Sequence, residues 1–186
     1  MCVIIAYIKI CEAVSILIAA FDYLQYRGYD SAGVAILQSD GRMVVVKKVG
    51  KVKILNDVVT NTHLDGTCGI GHTRWATHGT PSDDNSHPHT SGTIALVHNG
   101  IIDCSDLQKK QQVDDGYVFK SETDTEVIAH LIHQFKKNHS DLSLTECVAL
   151  ALREVNGSFA ICVIDSSSPD VIVGASRDST LIIGES

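Results

Sequence analysis

The chain has 186 residues, 44% of them hydrophobic and 20% charged, a length and composition that suit one globular domain with a sizeable core. Its net charge is −7 and its pI about 5.6, and no Lys/Arg run is longer than a pair. That balance argues against an electrostatic grip on nucleic acid or an anionic membrane and favours a small-molecule substrate.

The first twenty residues are apolar, but Lys9 and Glu12 interrupt them and no basic segment precedes them. Neither a secretory signal nor a membrane span is expected. Residues 3–8 read as a buried strand, and residues 12–26 as a helix with Val14, Leu17, Ile18, Phe21 and Leu24 on one face. A glycine-bounded loop, Arg27 to Gly33, leads to a strand at 34–37, an Asp40-Gly41 hairpin signal and a strand at 43–49. A helix at 51–60 and a Gly-interrupted strand at 68–74 follow. Then comes a polar stretch, 76–92, long enough to imply a task of its own, and a strand at 93–98. Further on, the pattern predicts a short helix at 106–112, a strand at 117–120 and a helix capped by Thr123. That helix presents Val127, Ile128, Leu131, Ile132 and Phe135 on one face. A helix at 144–154 and strands at 158–164, 171–175 and 181–184 complete a single α+β domain without repeats or linkers.

The six cysteines show no C-x-x-C spacing, as expected of reduced thiols in a cytoplasmic protein. Cys11, Cys68, Cys104, Cys147 and Cys162 are expected as small core residues. Cys2 differs, because removal of Met1 would leave a thiol and a free α-amine on one residue. With reference pKa values of about 7.7–8.0 for the amine and about 8.5 for the thiol, the amine can take the thiol proton near neutral pH.

His98-Asn99-Gly100 ends an apolar strand, either as a plain turn or as an amide and a backbone N–H aimed at a developing oxyanion. Arg74 offers a planar fork for a carboxylate beside Trp75, the single tryptophan, with Thr77 and His78 following; the alternative is a surface arginine stacked on the indole. The SETDTE stretch, 121–126, reads as an acidic helix start or as the source of a carboxylate for an ammonium group. Five of the nine histidines lie between 72 and 98 (His72, His78, His87, His89, His98). They raise a metal-site alternative, but no H-E-x-x-H or C-x-x-C pattern supports it, and no phosphate-loop motif implies a nucleotide.

In this order Met1-Cys2, YRGYDSAG (26–33), GHTRWATHG (71–79), PSDDNSHPH (81–89), HNGII (98–102) and SETDTEVIAHL (121–131) resemble one family. It is the glutaminase domain of the glutamine:fructose-6-phosphate amidotransferases, class II enzymes with an N-terminal-nucleophile fold. The resemblance implies a four-layer αββα sandwich over residues 2–186, incomplete at its C-terminal end, with the sugar isomerase domains absent. It implies glutamine hydrolysis through a Cys2 thioester, Asn99 and Gly100 as the oxyanion hole, and Arg27 near the nucleophile. Arg74 and Asp124 would hold the glutamine carboxylate and amine, while Trp75, Thr77 and His78 would belong to a closing loop. No cofactor, metal, nucleic acid or membrane is implied. Fructose-6-phosphate would bind only through the absent domains, and a homo-oligomer would belong to the full-length enzyme. One departure stands out: Val3 replaces the glycine the family places after its nucleophile, which leaves a glutamine-binding module without turnover as the alternative.

Overall fold

The computed structural model describes residues 2–75 and 80–184. In chain order the elements are β1 (Val3–Ile8), α1 (Ala13–Leu24), β2 (Ser31–Leu37), β3 (Met43–Val49), α2 (Val52–Thr60), β4 (Cys68–Arg74) and β5 (His89–Ser91). They continue with β6 (Ile94–Asp103), α3 (Ser105–Asp114), α4 (Thr125–Asn138), α5 (Leu144–Ala151), β7 (Asn156–Asp165) and β8 (Ile172–Arg177). Two antiparallel sheets result, ordered β1-β4-β2-β3 and β5-β6-β7-β8.

Because strand side chains alternate faces, each sheet has two sides to bury. Ala32, Val34 and Ile36 of β2 join Leu17, Ile18 and Phe21 of α1 and Leu55 of α2 in one outer core. Ile161 and Val163 of β7 pack with Ile94 and Leu96 of β6 against α4 and α5 in the other. The residues of opposite parity, Ala35, Leu37, Ile70, Ala95, Val97, Cys162 and Ile164, meet between the sheets. Three apolar layers under four structural layers are the αββα sandwich that the resemblance implies.

Glycines make the close packing on β4 possible. A Cβ on Gly71 would lie 2.6 Å from Cζ of Phe21, a ring with no solvent exposure. A Cβ on Gly28 would approach the Thr73 carbonyl oxygen to 3.1 Å. Bare backbone there lets the chain leave the 3₁₀ turn Gln25–Arg27 across the end of β4.

Several boundaries differ from the sequence reading. β2 begins at Ser31, because Ser31 to Gly33 pair with both Arg74–His72 and Val49–Lys47. β6 runs through Asn99-Gly100 to Asp103, since β7 continues to pair with it and Gly100 accommodates a φ of 144°. Residues 117–120 form no strand; the Lys120 N–H donates to the Glu126 carboxylate at 3.0 Å instead of to a ladder. Thr123 does not cap α4, for its hydroxyl bonds His89 Nε2 at 3.0 Å while the helix starts at Thr125. Residues 181–184 form no strand either; Leu181 packs into the inter-sheet core while Ile182 and Ile183 stay exposed. The second late helix stops at Ala151. It starts from a Ser143/Glu146 capping box. Of the cysteines read as core residues, Cys68, Cys147 and Cys162 are buried, whereas Cys11 and Cys104 are exposed.

Gly71→Ala is expected to cost about 1–3 kcal/mol by forcing the buried Phe21 ring aside, and Phe21→Leu should recover part of that loss. Urea unfolding of both single variants and the double variant checks this; strictly additive losses would remove the Phe21 contact as the cause.

Candidate active site

The same alternation that builds the core builds a cleft at one end of it. Cys2 shares its parity with Ile4, His72 and Arg74 with Cys68 and Ile70, and Asn99 with Ala95 and Val97, all residues of the inter-sheet layer. Where apolar side chains stop, these polar ones take over. They line a cleft of about 810 Å³ together with Arg27, Trp75, Gly100, Thr123, Asp124, Ser179 and Thr180. Val3 has the other parity, that of Ile5 and Tyr7 on the helix-facing side. It is not among the residues lining the cleft, so its β-branched side chain does not narrow the space beside Cys2.

The Cys2 sulphur lies 3.2 Å from the Trp75 N–H, which donates to it. Asn99 faces the same corner: its Nδ2 donates to the Cys2 carbonyl oxygen at 3.3 Å, and its Oδ1 lies 2.8 Å from His72 Nε2. Beyond Leu96, no strand among the described residues pairs with β6 on its β5 side. Its outward N–H groups there find side chains: His98 donates to His87 Nδ1 at 3.2 Å and Ile102 to Asp124 Oδ2 at 2.8 Å. By the same alternation the N–H of Gly100, midway between them, belongs to that open edge. The Asn99 amide, bonded to the Cys2 carbonyl oxygen, and the Gly100 backbone thus line the same cleft as the Cys2 thiol.

Arg74 is only 6% exposed, which removes the reading of a surface arginine. Its neighbour Trp75 is 43% exposed and stacks on Tyr29 at 5.3 Å, tilted by 59°. Asp124 is held by the Ile102 N–H and by the Thr125 hydroxyl at 3.4 Å. The expected guanidinium, carboxylate, thiol and amide therefore share one cleft. Thr77 and His78 lie outside the described residues.

Sequence reasoning missed the frame behind these groups. Asp83 accepts from the Val49 N–H at 2.9 Å and from Lys48 Nζ at 2.7 Å, and Asn85 accepts from the Glu122 N–H at 2.9 Å. The polar stretch is thereby strapped both to β3 and to the segment carrying Asp124. Glu126, 3% exposed, closes that segment by accepting from the N–H of Ser121 at 2.7 Å and its hydroxyl at 2.6 Å. No local motif announces these contacts; only the density of Asp, Asn and Ser in 81–86 hinted at them.

His72, His87, His89 and His98 form a buried group, of which His72, His87 and His98 also line the cleft. His72 and His87 stack at 4.2 Å, and His87 meets His89 edge-on at 4.8 Å. Burial pushes His72 down to about 3, outweighing the Asn99 contact that favours the charged ring. Burial likewise lowers His87 and His89 well below 6.5, and His98 less steeply because Asp124 opposes it. Among the described residues no three His, Cys, Asp or Glu side chains are grouped to hold a metal ion. Of the histidines read as metal candidates, the described ones, His72, His87, His89 and His98, bond Asn99, Thr123, Thr125 and backbone.

Residues 72–181, more than half of the chain, match the glutamine amidotransferase domain. The chain belongs to this amidotransferase family. Glutamine--fructose-6-phosphate aminotransferase (isomerizing) of Chlorobaculum tepidum is 49% identical over 189 residues, covering 99% of this chain and 30% of that relative. The enzyme of the same name from Haemophilus influenzae is 44% identical over 184 residues with the same shares covered. The chain thus spans about 30% of the length of these curated relatives. Among solved structures, the glutamine phosphoribosylpyrophosphate amidotransferase of B. subtilis has a TM-score of 0.71 at 27% identity over 89% of this chain and 35% of its own. The allosteric regulatory enzyme of purine biosynthesis reaches 0.74 at 27% identity, over 89% and 36%. These neighbours establish the amidotransferase sandwich as the fold.

The buried imidazoles give this amidotransferase domain a pH signature. Their folded values lie below the 6.5 of the free side chain, so the unfolded state binds more protons as pH falls. Stability is then complete above the unfolded value and is lost as pH drops from 6.5 toward the folded values, about 3 for His72. The urea midpoint is expected to fall between about pH 7 and about pH 5, with a shallower slope in His89→Gln. A flat profile over that range would contradict the burial of neutral rings.

Proposed function

We propose that this chain is a glutaminase that uses Cys2 as its nucleophile. The observation that carries the reading is that Cys2, the Asn99 amide bonded to its carbonyl oxygen, and Gly100 line one cleft. Arg74 and Asp124 line the same cleft. Glutamine fits that set: Arg74 suits its α-carboxylate, Asp124 its α-ammonium group, and its side-chain amide then extends toward Cys2. Once Met1 is removed, the Cys2 amine accepts the thiol proton and the sulphur attacks the amide carbon. The oxygen becomes an oxyanion between Asn99 Nδ2 and the Gly100 N–H. Collapse of this adduct breaks the C–N bond, the amine returns its proton to the leaving nitrogen, and ammonia departs. Water then cleaves the thioester to glutamate. Arg27 lines the same cleft as a further positive group, and Trp75 lines it as well; a substrate-contacting role for Thr77 and His78 is part of the same proposal.

The names of the relatives support a larger reaction, in which the ammonia reaches fructose-6-phosphate bound by domains outside this chain; a homo-oligomer of the full-length enzyme is part of the same proposal. The six free cysteines suit a cytoplasmic setting, and no described helix is long and apolar enough to cross a membrane. A binding module without turnover is the weaker reading, because Val3 stands on the face away from the cleft.

The test is glutamate release from glutamine by the purified chain, with Met1 removal verified by intact mass. Cys2→Ala is expected to abolish release, Asn99→Ala to lower kcat by about 10²–10³-fold, and Asp124→Asn to act chiefly by raising KM. Folded, processed protein that releases no glutamate would defeat the proposal.

A further inference from the structure

Asn99 can serve an oxyanion only if its amide points the right way, and a side-chain amide on a cleft wall has two nearly isosteric orientations. Here the choice is made by its neighbours. The Cys2 carbonyl oxygen, 3.3 Å from one end of the amide, accepts only and requires the NH2 there. The other end is then the carbonyl oxygen, 2.8 Å from His72 Nε2, and requires a donor. We propose that His72 is the positioning residue of the oxyanion site: its Nε2–H holds Asn99 Oδ1 so that the second N–H of the amide stays aimed at the substrate oxygen. The proposal rests on the glutaminase reading given above.

Three further observations fit this assignment. His72 is 1% exposed and stacks face to face on His87, interplanar angle 18°, so its ring is fixed before any ligand arrives. Burial keeps that ring neutral, so it carries a single N–H, and an acceptor at Nε2 places the proton there. A neutral donor adds no charge of its own beside Asn99, so the amide is held by a dipole already in place. His72 comes from β4, Cys2 immediately precedes β1 and Asn99 belongs to β6, so the bond joins the two sheets beside Cys2.

The experiment compares His72→Phe, which keeps a flat ring without the donor, with His72→Gln, whose amide can donate from a similar position. For the processed chain, kcat and KM for glutamine, the rate of Cys2 alkylation by iodoacetamide, and inhibition by glutamate γ-semialdehyde are measured. The aldehyde adds the Cys2 thiol across its carbonyl and passes the thiol proton to the oxygen, giving a tetrahedral adduct with no leaving group. His72→Phe is expected to lower kcat by about 10–10²-fold and to weaken the aldehyde by a similar factor. KM and alkylation should stay within about twofold, and His72→Gln should recover most of kcat. Should Phe prevent folding, His72→Asn, with its shorter reach, supplies the same contrast with His72→Gln. An unchanged kcat in His72→Phe, or a loss of kcat matched by lost alkylation, overturns the proposal while wild-type turnover keeps the glutaminase reading. A wild-type chain without Cys2-dependent release defeats both.

Discussion

Two sheets that touch only through apolar side chains can slide, and a site shared between them needs a directional contact to hold its parts in register. In this chain that contact is the Asn99 amide. It reaches from β6 to the backbone of Cys2 beside β1 and to the ring of His72 on β4. Both bonds lie where the apolar inter-sheet layer gives way to polar residues, so the packing behind them excludes water and strengthens them. Sulphur, guanidinium and carboxylate all take their places relative to this junction.

Legibility in the sequence followed the range of the interactions. β1, α1, β3 and α2 were readable almost to the residue, because period and turn chemistry are local: Asp40-Gly41 closes the hairpin with Gly41 at a φ of 84°. The errors fall where a distant partner decides. Asn99-Gly100 carries a turn signal, yet β7 continues to pair with it and extends the strand. Residues 117–120 have strand-like composition, yet Glu126 takes the Lys120 N–H. Thr123 is a good capping residue, yet His89 claims its hydroxyl.

For the site, Cys2, Arg74, Asn99 and Asp124 were legible as residue types with a chemical use, and the resemblance put them into one reaction. Their supports were not. His72 was visible only as one histidine among several, because its partner lies 27 positions away and its neutrality comes from burial. Asn85 and Asp83 likewise hold a segment and a strand that are remote in sequence. The placement of Val3 away from the cleft needed the parity of β1, which depends on which face the helices cover.

Glu126 carries one more implication. Its carboxylate is saturated by the Lys120 and Ser121 N–H groups and the Ser121 hydroxyl, while Asn85 clasps Glu122 between them and Asp124. Residues 120–126 therefore form a cyclic unit whose conformational entropy was surrendered when the chain folded. A cation arriving at Asp124 meets a carboxylate that has nothing left to order, and the free energy of that encounter goes into holding the ligand and not into arranging the loop.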